Sequence, residues 1–104
     1  MSSKKKTSTI KYLEAIAGKK LSLASFLSAI RKCEEMSQVE FAKKLGISKS
    51  HLCDIEKGRK TASPERAARF AKILGYSPDQ FVRLSLQSML DEARLNMKVE
   101  VNAA

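Results

Sequence analysis

Between residues 22 and 95 the chain is cut into helix-length pieces by serines that start helices and glycines that stop them. This punctuation constrains the fold more than any other feature. Ser37-Gln38-Val39-Glu40 has the form of a capping box, in which the serine side chain takes a free amide of the first turn and the glutamate reaches back. Ser63-Pro64-Glu65 and Ser77-Pro78-Asp79-Gln80 repeat the start, with proline at the first helical position, where its missing N–H is no loss. Ser48, directly after Gly46-Ile47, is a further cap. Gly46, Gly58 and Gly75 each close an apolar-periodic stretch. The pattern predicts five helices, at about 22–34, 38–45, 49–57, 64–74 and 78–95, and hence an all-α fold. Phe26, Leu27, Ile30, Phe41, Leu45, Leu52, Ile55, Phe70, Ala71, Leu74 and Phe81 fall on their inward faces.

A chain of 104 residues has room for one small domain and little else. Its formal charge of +9 favours a polyanionic partner, through phosphate neutralisation and counterion release. No apolar run approaches the ~18 residues that a membrane span needs. The basic stretch Met1 to Lys6 leads into no hydrophobic signal core, so a cytoplasmic location is expected. Cys33 and Cys53 form no CxxC pair and are expected to be reduced, in or near the core. His51 and Cys53 stand two apart on a helix and point in different directions, so no metal site is expected, and no cofactor. The acidic residues are scattered, without a paired-carboxylate site or an activated nucleophile, which speaks against an enzyme.

The sequence divides into a segment 1–21, a domain 22–96 and a tail 97–104. Residues 1–20 carry six lysines against Glu14, too polar a composition to fold alone, so disorder is expected there. Yet Ile10, Leu13, Ile16 and Ala17 keep helical spacing, and such a stretch could order on a partner. At the other end Leu95, Met97, Val99 and Val101 alternate with polar residues, a period-two pattern that predicts a short β-strand. Val82, Leu86, Met89, Leu90, Ala93 and Met97 form a stripe too long for so small a bundle to cover. With Val99 of the strand, they are the expected homodimer interface.

The informative run is Ser37 to Ser48, continued by Leu52, Ile55, Glu56 and Gly58. Two short helices meet here at a sharp corner. Ala42 is small where the second must cross the first, Gly46 turns the chain at positive φ, and Ile47 fills the inside of the corner. Leu52 and Ile55 fix the second helix to the core, which leaves Lys49, Ser50, Cys53 or Asp54, and Lys57 on other faces.

With Gln38, Ala42, Gly46, Ile47, Glu56 and Gly58 in place, residues 22–84 resemble the Cro/C1-type (XRE-like) helix-turn-helix family of phage and bacterial repressors. The resemblance implies a five-helix lambda-repressor-like domain whose helix 49–57 enters the DNA major groove. By position, Lys49, Ser50 and Asp54, with His51 as an addition, would read bases. Lysine could donate to guanine, and aspartate could accept from cytosine N4. Gln38, Ser48, Lys57, Arg59 and Lys60 would hold phosphates. Arg31 and Glu56 match a partly buried ion pair of the family.

The tract from Leu23 through Ile30-Arg31, Glu56-Lys57-Gly58 and Ser63 to Ala68, ending at Leu74-Gly75-Tyr76, also resembles antitoxins of the HigA kind. That likeness implies a small toxin partner, a RelE/HigB-like ribosome-dependent mRNA interferase, and repression of the pair's own operon. Ile10, Tyr12, Leu13 and Ile16 would then bind the toxin. A stand-alone repressor shares every DNA-facing residue, and its lysine-rich segment could instead lie along DNA.

Overall fold

The structure is a computed structural model and describes residues 22–102. Among these are five helices: α1 (Leu23–Cys33), α2 (Gln38–Leu45), α3 (Lys49–Glu56), α4 (Pro64–Leu74) and α5 (Pro78–Glu92). The expected disorder of residues 1–20, and the expected contacts of Ile10, Tyr12, Leu13 and Ile16, lie outside the described residues.

The starts follow the serines. Ser37 accepts from the Glu40 amide and Glu40 accepts from the Ser37 amide, so the capping box closes in both directions. Together with the Ser37 hydroxyl, that contact holds the Glu40 carboxyl below its ordinary pKa. Ser48 and Ser63 accept from the amides of His51 and Arg66. Ser22 caps α1 by the same geometry with Ser25, a start that a serine in the box's last position does not advertise. Ser77 is a correction: its backbone takes the cap position, but its side chain makes no capping bond.

The stops share one geometry. At each of the five helix ends a residue at positive φ donates to a carbonyl three back, and the next residue donates to one five back. This is the Schellman closure, and it consumes carbonyls that the helix would otherwise leave unpaired. Gly46, Gly58 and Gly75 occupy three of these positions; Glu35 and Arg94 occupy the other two. Arg94 therefore ends α5 at Glu92, three residues short of the expected 95. A Cβ at Gly46 would meet nothing within 4 Å, so glycine is needed there for its φ of 76° and not for space.

All eleven expected inward residues are buried, joined by Leu23, Ala42, Ala62, Ala67 and Leu84. Each large side chain so removed from water contributes roughly 1.5–3 kcal/mol. Phe26 anchors the centre edge-on to both Tyr76 and Phe81, with ring centroids 5.4 and 5.5 Å away. Ile47, at the α2–α3 corner, is partly buried and packs against the hydrophobic core, as its position predicts. The cysteines depart from expectation: Cys33 is exposed at the end of α1, and Cys53 is half-buried.

The expected strand is also corrected, in an instructive way. Residues 96–102 form no ladder, and no strand occurs among the described residues. Instead the buried side chain of Gln87 stands in for a partner strand. Its Nε2 donates to the Met97 carbonyl at 2.8 Å, and its Oε1 accepts from the Val99 amide at 3.0 Å. In an extended chain the carbonyl of one residue and the amide two further on share an edge, so one side-chain amide serves both.

Candidate nucleic-acid interface

The site is built on α3 and on the loop that follows it. Its foundation is a fork-to-fork ion pair between α1 and α3. Arg31 Nε donates to Glu56 Oε2 at 2.9 Å, and Nη2 donates to Oε1 at 3.1 Å. The remaining Arg31 nitrogen, Nη1, donates to the Met36 carbonyl at 3.1 Å. Gln38, at the first position of α2, adds its amide to Glu56 Oε1 at 3.3 Å. Side chains from α1 and α2 therefore converge on the Glu56 carboxylate, which ties α3 to both.

The loop after α3 is held as firmly. Gly58 turns the chain at φ 76°, after which the amides of Arg59 and Lys60 both donate to the Asp54 carbonyl, at 2.8 and 3.2 Å. Ala62 is buried, and the buried hydroxyl of Ser85 on α5 donates to its carbonyl at 2.6 Å. The Thr61 hydroxyl donates to Glu92. A short cationic loop is thus tied to α3 at one end and to α5 at the other.

On the outer face of this assembly lies an open hollow of about 420 Å³, lined by Gln38, Lys49, Ser50, Cys53, Asp54, Lys57 and Arg59. Six of the nine residues read from sequence as DNA-facing meet here. Three do not. Ser48 is spent in part on capping α3, and the Lys60 ammonium stands 3.7 Å from Asp54 Oδ2. His51 turns towards α4, where Arg66 Nη1 lies 2.9 Å from Nδ1 and 3.1 Å from Nε2. Burial, then the charges of Arg66 and Lys60, lower the His51 pKa against the opposing pull of Asp54.

Within the hollow Asp54 is already engaged. Arg59 Nε donates to its Oδ1 at 2.8 Å, and this bond, aided by the nearby positive charges, holds the Asp54 carboxyl below its ordinary pKa. Lys49 and Lys57 are exposed, without an ion pair among the described residues. Arg66 is a side chain that the sequence reading does not place in this neighbourhood, whereas it gives Cys53 as an alternative to Asp54 on the open faces. The partner of Arg66, His51, lies fifteen residues away, beyond any periodic pattern.

No group of three or more His, Cys, Asp or Glu residues that could hold a metal occurs among the described residues. No helix there is long and apolar enough to cross a membrane.

Two short helices at a fixed corner, the second presenting an open, cation-flanked face, define a helix-turn-helix domain. A family model described as helix-turn-helix (HTH_3) matches residues 27–81, more than half of the chain, and the chain belongs to that family of Cro/C1-type DNA-binding regulators. No match is found among curated proteins or among solved structures.

Proposed function

We propose that this chain is a transcriptional repressor that binds a palindromic operator as a homodimer, with α3 in the major groove. The observation that carries the reading is the hollow on α3, where Lys49, Ser50 and Asp54 face outward beside a pinned cationic loop. Lys49 and Ser50 reach base edges, while Gln38, Ser48, Lys57 and Lys60 hold the phosphates on either side. His51 is left out of the reading set, because its ring is taken up by Arg66. The described body measures 35 × 30 × 30 Å. Two copies side by side would set their α3 helices about 34 Å apart, one turn of DNA. The decisive experiment is selection of bound duplexes from a random pool by the full chain. A palindromic consensus with half-sites one turn apart is expected; retention without sequence preference would overturn the reading.

The finer reading is that this repressor is the antitoxin of a toxin–antitoxin pair, and that residues 1–21 engage a small mRNA-cleaving toxin. Its support is the likeness to HigA-type antitoxins, together with the helical spacing of Ile10, Leu13, Ile16 and Ala17 in a lysine-rich segment, where Ile10, Tyr12, Leu13 and Ile16 would meet the toxin. A chain lacking residues 1–20 should keep its operator affinity and fail to rescue cells from the co-expressed toxin. If the deletion instead weakens operator binding and flattens its salt dependence, the segment is a DNA arm and the protein a plain repressor.

A further inference from the structure

The closures at the five helix ends differ in one respect. The residue just past the positive-φ position is apolar at four of them: Met36, Ile47, Tyr76 and Leu95. An apolar contact back to the helix is the usual companion of this closure. At the end of α3, and only there among the described helices, the position holds a cation, Arg59. The residue it is bonded back to is an anion, Asp54. The backbone closure therefore sets an Asp–Arg pair at the edge of the candidate DNA-facing hollow.

The pair has a definite internal geometry. The side edge of the guanidinium is occupied, with Nε donating to Asp54 Oδ1 at 2.8 Å and Nη2 standing 3.7 Å from the Cys53 sulfur. Its end edge, formed by Nη1 and the second Nη2 hydrogen, carries no partner among the described residues. The arginine side chain is 55% exposed, and that of Asp54 25%.

Asp54, for its part, is poorly placed to read a base by itself. Oδ1 is held by Arg59 and Oδ2 faces the Lys60 ammonium at 3.7 Å. A carboxylate brought bare against phosphates would be repelled, whereas one neutralised by its own cations is not. A planar fork with its end edge free matches guanine O6 and N7.

Resting on the operator-binding reading above, we propose that Arg59 is a specificity-determining residue that reads a guanine in the major groove, and that Asp54 is the positioning residue that aims it. The two then act as one reader. Asp54 does not accept from a cytosine on its own account, and Arg59 is more than a phosphate contact.

The test is to repeat the duplex selection with the full-length wild type, Arg59→Ala, Asp54→Ala, Asp54→Asn and the double variant Asp54→Ala/Arg59→Ala. The expected result is that Arg59→Ala flattens the preference at one G·C pair per half-site. Discrimination there should fall on the order of tenfold or more, with other positions kept. Asp54→Ala should flatten the same pair, the double variant should be no worse than Arg59→Ala, and Asp54→Asn should fall between wild type and alanine. Asparagine retains an acceptor for Nε without the charge, and its near-identical shape guards against a folding artefact. If Arg59→Ala weakens all duplexes equally, or if Asp54 and Arg59 govern different base pairs, the coupled reader is wrong while the operator-binding reading stands. A wild type that selects no consensus overturns both.

Discussion

Arg31 and Glu56 meet fork to fork across α1 and α3, with only 15% and 6% of their side chains exposed. Twenty-five residues of sequence separate them, yet their contact fixes the angle at which α3 leaves the core. Removing one partner leaves the other charged, shielded from water and unpaired. Arg31→Ala or Glu56→Ala should therefore cost on the order of 3 kcal/mol, well above an ordinary surface change. The double variant should cost much less than the sum of the two. Thermal unfolding of the four proteins measures the coupling, and a coupling of zero would mean that the pair contributes nothing to the set of α3.

Lys49 and Lys57 occupy the same hollow and should behave differently. At the first position of α3, Lys49 would face base edges in the proposed complex, so Lys49→Ala should change which duplexes are preferred, at about 1–3 kcal/mol for the lost contact. Lys57, at the other end of the helix, would face the DNA backbone in the same complex. Lys57→Ala should weaken every duplex alike and lower the salt slope by about 1. Anisotropy titrations on the selected duplex and a scrambled one, across a salt series, separate the two effects. Identical behaviour of the two variants would show that α3 lies in the groove in another orientation.

The His51 ring is faced by Arg66 of α4, by Lys60 of the pinned loop and by Asp54 on its own helix. Arg66 Nη1 can donate only to a bare ring nitrogen, so the contact requires neutral histidine. Burial comes first and the two cations second in lowering its pKa below the ordinary 6.5. The unfolded chain then binds the proton at a higher pH than the folded one. The stability His51 contributes is accordingly full above the unfolded pKa, and it is lost as the pH falls from about 6.5 through the lower folded value. Melting temperatures measured from pH 8 to pH 5 should decline on acidification, and His51→Gln should flatten that decline. An unchanged pH profile in the variant would remove His51 from the account.

The fold was legible wherever local chemistry is written in residue type. Serine starts and glycine stops give α2, α3 and α4 nearly to the residue, because a cap needs an acceptor and a positive φ prefers glycine. The end of α5 was missed because Arg94, and not a glycine or asparagine, adopts φ 59°. The alternation of the tail predicts a strand, but alternation does not say what pairs with it. Gln87 does so from ten and twelve residues away. In the site, helical spacing puts Lys49, Ser50, Lys57 and one of Cys53 or Asp54 on the open faces, and the family resemblance chooses among them. The engagement of Asp54 by Arg59 follows from neither, because it arises from the backbone closure at Gly58, whose consequence for side chains appears only in three dimensions.

The α5 stripe gives the last prediction. Val82, Leu86 and Leu90 are half-buried in the single chain, while Met89 and Met97 remain 38% and 60% exposed and Leu95 44%. An open apolar row of this length, beside a tail whose one edge is already taken by Gln87, is the surface on which a second copy would close. Met89 is the useful probe. Its exposure means that glutamate there should be tolerated by the monomer, whereas the same charge buried at a twofold interface would face its own symmetry mate. Met89→Glu should therefore keep the melting temperature of the dilute monomer and shift analytical ultracentrifugation from dimer to monomer. Operator affinity should fall steeply as well, because a lone α3 grips one half-site and loses the second. A Met89→Glu protein that remains a tight dimer would place the interface on another face.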